Sequence, residues 1–450
     1  MGTFKKGGVH PPQNKFTSGS PIVTLGLPRT VELLLSQHIG APAIPIVERG
    51  DIVARGQEVA KSSGFVSASV HTPISGKVKK IDTVRNAAGQ PVTAIIIEAD
   101  EDDHLADEER RANKTRVRSD EELERLTVEE IREIAKNSGL VGLGGATFPS
   151  NIKLAPPKDA KIDFLIVNGA ECEPYLTCDH VLMRERGDEV VKGIELMRRA
   201  CEAPEAVIGI EDNKPDAIEM LAKACSCYAA IRVESLKAKY PQGGEKQLVK
   251  AITGREIKSG CLPASAGTVV HNVATAYALY NAAAYGLPVI ERIVTVTGKD
   301  LSRPGNFLAP IGMRVGALID YAGGLREDSG KVILGGPMMG RAAINLDAPI
   351  VKGVSGILVM REDESHRRRE EPCIRCAKCV SVCPMGLEPY LISTYGRLRM
   401  IDEAQQNGAR DCIECGCCSY ICPSSRPLLD YIRLGKKLIA DKMQREKKNK

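Results

Sequence analysis

Two cysteine runs of identical spacing constrain this chain more than any other feature. The first is Cys373-x2-Cys376-x2-Cys379-x3-Cys383-Pro384, and the second is Cys412-x2-Cys415-x2-Cys418-x3-Cys422-Pro423. A thiolate every third residue lets one tight turn wrap three corners of an iron–sulfur cube, and the fourth cysteine of such a run ligates the neighbouring cluster in two-cluster proteins. The spacing therefore predicts two [4Fe-4S] clusters. One is expected on Cys373, Cys376, Cys379 and Cys422, the other on Cys412, Cys415, Cys418 and Cys383. A pair of zinc sites is the competing reading, because C-x2-C repeats also bind zinc. Zinc gives no reason for a duplicated spacing with a trailing proline. Cys417 is a spare thiol, since register with the first run puts Cys418 on the iron.

Composition agrees with metal ligation. The cysteines number fifteen, an odd count, and nine fall between Cys373 and Cys422, which fits a reducing compartment better than disulfides. The start, Met1 to Gly8, lacks the apolar core of a signal peptide, so the chain is expected to stay where it is synthesised. Its longest apolar candidates, Phe164 to Val167 and Ile357 to Met360, are strand-length, far short of a membrane span. The formal charge of +5 is accounted for by Gly435 to Lys450, where seven Lys/Arg face only Asp441 and Glu446. The remainder sums to zero, so a nucleic-acid-binding body is not indicated. That basic tail reads as a solvated, frayed end more than as a contact with anionic lipid or a partner. At 450 residues the chain exceeds one hydrophobic core, and three or four domains are expected.

Between Val47 and Val78, short β-rich runs separated by glycine turns predict a small all-β unit. The stretch resembles the barrel-sandwich fold of lipoyl and biotinyl domains, but Gly64-Phe65-Val66 stands where a modifiable lysine would be. A structural or docking module is therefore expected rather than an acyl carrier. The charged stretch from Glu98 to Glu130 reads as a linker or solvated segment, with a boundary near residue 112. Helix-period segments follow at Glu129 to Lys136, Glu189 to Cys201 and Asp216 to Cys225, alternating with the apolar strands Phe164 to Val167 and Ala206 to Ile210. Such alternation predicts an α/β layer with a parallel sheet. From Arg292 to Met360 the pattern looks like a soluble-ligand-binding β-grasp (SLBB) module. The spacer Leu387 to Asn407 is helix-like, so the cysteine region resembles the α-helical ferredoxin type. The fold class expected is thus multidomain α/β: barrel-sandwich hybrid with linker (1–112), Rossmann-like α/β domain (113–290), β-grasp (291–360) and two-cluster ferredoxin domain with basic tail (361–450).

A Gly-rich turn, Gly139 to Ser150, permits close backbone approach to a phosphate or a flavin edge, and a following helix N-terminus favours an anion. The strand ending at Val167 leads into Asn168-Gly169-Ala170-Glu171-Cys172-Glu173-Pro174, polar groups at the end of a strand where open α/β sheets bind ligands. Cys172 reads as a packed small residue rather than a reactive thiol.

The ordered set Gly142-x-Gly144-Gly145-x-x-Phe148-Pro149-x-x-x-Lys153, Asn168-x-x-Glu171-x-Glu173-Pro174, Tyr240-x-x-Gly243-x-Glu245 and His271-Asn272-Val273 resembles the NADH-binding, flavin-carrying subunit of respiratory complex I. With the start Phe4 to Lys15 and Leu35 to Pro42, the whole chain resembles the RnfC family, the C subunits of the Rnf complex. The resemblance implies noncovalent FMN on Gly142, Gly144, Gly145, Lys153, Asn168 and Asn272, Lys153 supplying positive charge. It implies NAD(H) held by Glu173 and Glu245 through ribose hydroxyls, with Phe148 stacking, Tyr240 lining the pocket and Glu171 in the same binding set. The chain departs from the complex I pattern at Thr147, Gly244 and His271.

What the resemblance implies for function is a peripheral subunit of a membrane-bound ferredoxin:NAD oxidoreductase that drives ion transport. It would sit at the cytoplasmic face of the cell membrane, against the membrane subunits of that complex and its iron–sulfur subunit, with ferredoxin an indirect partner. NADH gives two electrons as hydride and a cluster accepts one, so a flavin must stand between them. No acid–base residue is required for this chemistry. The alternatives are a soluble corrin (cobalamin) reductase, against which the Phe4 to Lys15 motif argues, and a non-catalytic iron–sulfur scaffold.

Overall fold

The structure, a computed structural model, describes residues 2–157 and 159–448. Alternating apolar residues between Thr30 and Glu98 build two facing antiparallel sheets. One has the strand order Thr30–Leu34, Pro91–Glu98, Gly76–Arg85, Ile52–Val53; the other has Ile44–Pro45, Glu58–Lys61, Val70–His71. Val31, Leu33, Val59, Val70, Val78, Ile95 and Ile97 are fully buried between them. Gly76 makes this closure possible, because a Cβ there would stand 2.3 Å from the Glu98 carbonyl oxygen. This is the expected barrel-sandwich. Phe65, in the hairpin without a lysine, is exposed.

At both ends the structure departs from the expected 1–112 unit. Residues before the barrel belong to other sheets: Ile22–Thr24 pairs in parallel with Gly305–Pro310, and Gly2 and Val9 bridge Leu236 and Tyr240. The charged stretch is not a linker. It forms the helix Glu101–Ala112, capped by Asp100, with three acids in its first turn and Arg110 and Arg111 in its last, the polarity the helix dipole favours. Asp107 is fully buried and accepts from the Ser75 backbone and hydroxyl, the latter at 2.9 Å. Buried Arg111 pairs with Glu291 at 2.6 Å and donates to the carbonyls of Leu25 and Leu308. High charge here signals paired groups at a junction, since a buried ion survives only when partnered.

The central layer is a four-stranded parallel sheet in the order Ile231–Leu236, Glu205–Glu211, Phe164–Asn168, Thr268–Asn272. Helices Gly187–Ala200 and Val273–Tyr285 pack together on it through Val190, Val191, Ile194, Ala276 and Leu279. Val128–Asn137, entered through a capping box of Thr127 and Glu130, lies against the first of them. The predicted helices and strands are present, in a Rossmann-like layer. The β-grasp module is a mixed six-stranded sheet with Glu291–Thr297 and Gly356–Arg361 paired in parallel at its centre and helix Val315–Tyr321 across it. Val294, Val296, Leu318, Ile319 and Ile357 form its core.

In the cysteine region the spacer folds as Pro389–Leu398 and Ile401–Gln406, both packed on the long helix Leu428–Lys448. The crossing is close: a Cβ on Gly396 would stand 2.1 Å from the Tyr431 carbonyl oxygen. The basic tail is therefore not a frayed end through Lys448. It is held by Lys436 to Glu414 at 2.7 Å and by Lys442 to Asp402 at 2.5 Å. No helix among the described residues is long and apolar enough to cross a membrane.

Lys352 joins three of these modules. Its buried amino group donates to the carbonyls of Ser69 in the barrel (2.8 Å) and Gly139 beside the parallel sheet (2.7 Å), while its own backbone sits in the β-grasp module. Burial alone pushes its pKa from 10.5 down to about 7. The unfolded chain thus binds this proton near pH 10.5 and the folded chain only near 7, so its contribution to stability is lost as pH falls through that window. Lys352→Met removes this dependence. The melting temperature of the native protein minus that of the variant should rise steadily from pH 7 to pH 10; a constant difference would contradict the buried, neutral lysine.

Candidate functional site

The succession of strands reverses at Phe164–Asn168: the chain adds Glu205–Glu211 and Ile231–Leu236 on one side, then returns to add Thr268–Asn272 on the other. Ligands of open α/β sheets bind outside the carboxyl ends of the strands at such a point. Asn168 and Asn272 end the two strands as register partners. The Asn168 amide donates to the Gly243 carbonyl at 2.9 Å and accepts from Ala170 N at 3.1 Å. Asn272 caps the helix Val273–Tyr285 by accepting from Ala274 N at 2.8 Å, and it donates to Asp179 Oδ2 at 2.6 Å.

Two glycines let two loops close over these asparagines. A Cβ on Gly144 would stand 3.2 Å from Asn272 Cβ, and one on Gly243 would stand 3.3 Å from the Asn168 amide. The Gly142 to Phe148 turn is tied by Gly142 N to Phe148 O at 2.9 Å and Thr147 N to Gly142 O at 3.1 Å. It leaves Gly144 and Gly145 exposed and Phe148 half-buried. The helix after it, Ser150–Lys153, is a single turn without a side-chain cap, so its dipole adds little toward an anion. Lys153 brings the charge instead. It pairs with Glu245 Oε1 at 2.8 Å and donates to Val270 O at 3.2 Å. Exposed backbone, two amides and a lysine suit an isoalloxazine edge and a phosphate. His271 lies beneath, buried, with a pKa driven down to about 3 by burial and then by Lys153.

Glu171 and Glu173 are spoken for by the protein. Glu171 accepts from the backbone of Asp179 (2.8 Å) and His180 (3.1 Å), starting the helix Cys178–Glu185. Glu173 is drawn toward the β-grasp loop, where Met338 N and Met339 N donate to Oε1 at 2.6 and 3.1 Å. Burial raises its pKa, and these two N–H groups oppose that rise. Gly336 is required opposite it, since a Cβ there would meet Glu173 Cγ at 2.1 Å. Burial, then the Glu171 charge, push the Asp179 carboxyl up to about 7. Cys172 is packed with its thiol pKa raised by burial, as expected of an inert residue.

The two cysteine runs adopt one conformation twice. Arg375 and Ala377 have φ of 55 and 58°, and Glu414 and Gly416, at the matching places, have 58 and 78°. Each run then enters a short helix, Lys378–Ser381 or Cys417–Ile421. The fourth cysteine of each run faces the other. Cys383 lines a pocket with Cys412, Cys415, Cys417 and Cys418, walled by Leu387, Ile392, Leu429 and Ile432. Cys379 has the thiols of Cys422 and Cys373 as its charge neighbours. Burial pushes the Cys412 and Cys418 thiols up to about 11 and 12, so a metal centre must displace their protons on binding. Glu414 N donates to Cys412 Sγ at 3.4 Å and Leu387 N to Cys383 Sγ at 3.3 Å. Cys417, fully buried, lines the same pocket and also packs with Cys415, Val9 and Tyr240, so register with the first run, not position, sets it apart from the four expected ligands. Four soft thiolates converging in an apolar pocket fit an iron–sulfur cube.

Sequence reasoning missed Lys15 and the Met338–Met339 loop. The Lys15 ammonium donates to the carbonyls of Glu171, Glu173 and Leu176 at 2.7, 3.0 and 2.6 Å. Its position inside the N-terminal motif was the available signal. Nothing near residue 338 announces its contact with Glu173.

Comparison with known families agrees with this architecture. The RnfC barrel sandwich hybrid domain matches residues 3–102, the Nuo51 FMN-binding domain residues 135–281, the SLBB domain residues 293–342 and the 4Fe-4S dicluster domain residues 366–423. The chain is 44% identical, over 100% of its length and 99% of the relative's, to the C subunit of the Na(+)-translocating ferredoxin:NAD(+) oxidoreductase complex of Acetobacterium woodii. It is 43% identical to the proton-translocating counterpart of Clostridium ljungdahlii, over 89% of this chain and 86% of that one. It is 42% identical to the C subunit of the ion-translocating oxidoreductase complex of Rhodobacter capsulatus, over 98% and 84%. Among solved structures, an NAD+-reducing [NiFe]-hydrogenase in the H2-reduced state shares the fold, with a TM-score of 0.50 and 21% identity over 71% of this chain and 64% of that one.

Gly144→Val tests the crevice. The added side chain should weaken FMN binding about tenfold to a hundredfold, the equivalent of about 1–3 kcal/mol of steric conflict. Quenching of flavin fluorescence measures this, with the melting temperature as control, and unchanged affinity would rule the crevice out.

Proposed function

The chain belongs to the RnfC family, the C subunits of ion-translocating ferredoxin:NAD(+) oxidoreductase complexes, and on that premise we propose that it exchanges hydride between NAD(H) and FMN and relays single electrons through two [4Fe-4S] clusters. It is an NAD-dependent electron-transfer subunit of a multi-subunit, membrane-bound complex, and it carries an FMN-binding and a 4Fe-4S dicluster domain. The observation that carries the reading is continuity. The apolar cluster that includes Cys172, beside the asparagine crevice, also includes Tyr240 and Cys415 of the second thiol run.

FMN, when bound, supplies the conversion between a two-electron hydride donor and one-electron acceptors. Gly142, Gly144 and Gly145 give it backbone, Asn168 and Asn272 give it amides, and Lys153 gives it charge. Glu245, half-exposed beside Lys153, is assigned to a ribose hydroxyl of NAD(H), with Phe148 at the nucleotide's open face. Glu171 and Glu173 act in this reading through the loops they hold. Cys373, Cys376, Cys379 and Cys422 ligate one cluster, and Cys412, Cys415, Cys418 and Cys383 the other. The partners are the membrane subunits and the iron–sulfur subunit of the complex, met at the cytoplasmic face, with ferredoxin reached indirectly.

Two variants test the assignments. Glu245→Ala should weaken NADH binding about tenfold to a hundredfold, the scale of a lost hydrogen bond to a charged group, while FMN and iron per chain stay constant. Equal loss of all three would make Glu245 a folding residue. Cys418→Ser should lower iron per chain to that of one cluster and Cys417→Ser should leave it unchanged; the reverse result would shift the register by one.

A further inference from the structure

The relay gives no part to the N-terminal motif, yet this segment touches both the crevice and the thiols. Gly7 has a φ of +68°, and a Cβ there would stand 2.5 Å from the Cys383 carbonyl carbon. Gly8 N donates to Val382 O at 2.8 Å. Val9 then exchanges both backbone hydrogen bonds with Tyr240, at 2.9 and 3.0 Å. Tyr240 is 2% exposed, and its hydroxyl donates to the Cys415 carbonyl at 2.8 Å. Its hydroxyl also faces the Glu173 carboxylate. Farther along, Lys15 holds the loop that carries Glu171 and Glu173.

The two thiol sets differ in this respect. Around one set, the strap packs on the Cys383 carbonyl and takes the backbone of Val382 beside it, and Tyr240 donates to the Cys415 carbonyl. In the other set Cys373 and Cys376 are exposed, and the residues from Arg367 to Lys378 are exposed with them.

We propose that the strap Gly7 to Val9, together with Tyr240, is a positioning device that makes the Cys383/Cys412/Cys415/Cys418 set the first electron acceptor from the flavin crevice. The Cys373/Cys376/Cys379/Cys422 set is then the second, at the surface. This inference rests on the relay reading. Its balance is that NADH yields NAD+, one proton released to solvent and two electrons, and each electron reduces one oxidised cluster. Groups that grip the backbone of a metal ligand orient that ligand and tune the metal, so a contact too distant to touch the cube still sets its potential and position. Gly7 has to be glycine for the strap to reach Cys383. Tyr240 has to carry a hydroxyl to reach Cys415.

The test uses the full chain loaded with FMN and iron, mixed anaerobically with NADH. Flavin bleaching and cluster reduction are followed in one stopped-flow trace, and the reduced clusters by electron paramagnetic resonance (EPR). In both Gly7→Ala and Tyr240→Phe, the ratio of cluster-reduction rate to flavin-bleaching rate should fall on the order of tenfold, the scale of a steric clash that pushes the strap off Cys383 in the first and of one lost buried hydrogen bond in the second. One of the two cluster signals should shift and the other stay. If the ratio holds within about twofold in both variants and neither signal moves, the positioning role is overturned while the relay stands. If the unaltered protein does not bleach at all with NADH, both readings fall together.

Discussion

Two buried ammonium groups hold the loop on which the rest of this molecule depends. Lys15 donates to three carbonyls of the stretch from Glu171 to Leu176, and Lys214 donates to the carbonyl of Ala170 at 2.7 Å while pairing with Glu211 at 3.2 Å. Burial lowers the Lys15 pKa, with the Glu171 charge opposing that effect. A buried ammonium is tolerated only where acceptors surround it, and here the acceptors are the backbone of the loop itself. Remove the lysines, and the carbonyls left unpaired would favour an open loop.

From that loop the contacts run outward in three directions. Glu171 starts the helix Cys178–Glu185, whose Asp179 takes the amide of Asn272 and so fixes one side of the crevice. Glu173 takes the backbone of Met338 and Met339, and Arg433 of the long C-terminal helix donates to Met339 O at 3.2 Å. Cys172 accepts from Gly243 N at 3.4 Å, beside the Tyr240 turn that reaches Cys415. The sheet crevice, the β-grasp loop and the thiol pocket are thus parts of one packed body.

Periodic features are legible in the sequence, and contacts between distant segments are not. The cysteine runs, the parallel strands and the barrel-sandwich turns each carry their signal in local spacing. The helix Glu101–Ala112 reads as a linker or solvated segment, and its mostly exposed surface fits the second; composition cannot see its two buried partners, Asp107 with Ser75 and Arg111 with Glu291, both far away in sequence. The basic tail reads as frayed for the same reason, Lys436 and Lys442 being matched by Glu414 and Asp402. Of the crevice residues, Gly144, Asn168 and Asn272 lie together where the strand order reverses. Glu173 cannot be placed from sequence, because its partners Met338 and Met339 belong to another module. The motif from Phe4 to Lys15 is recognisable as a pattern, and its physical purpose becomes visible only with Cys383 and Tyr240 beside it.

The central claim is that one crevice and two thiol sets form a continuous route for electrons. An anaerobic titration of the flavin- and iron-loaded protein with NADH, read by visible absorbance and by EPR spin quantitation, tests it most directly. The account predicts flavin bleaching together with reduced [4Fe-4S] signals that integrate to two spins per chain at full reduction. Bleaching of the flavin with no cluster signal, or a signal limited to one spin when dithionite is added, would contradict it.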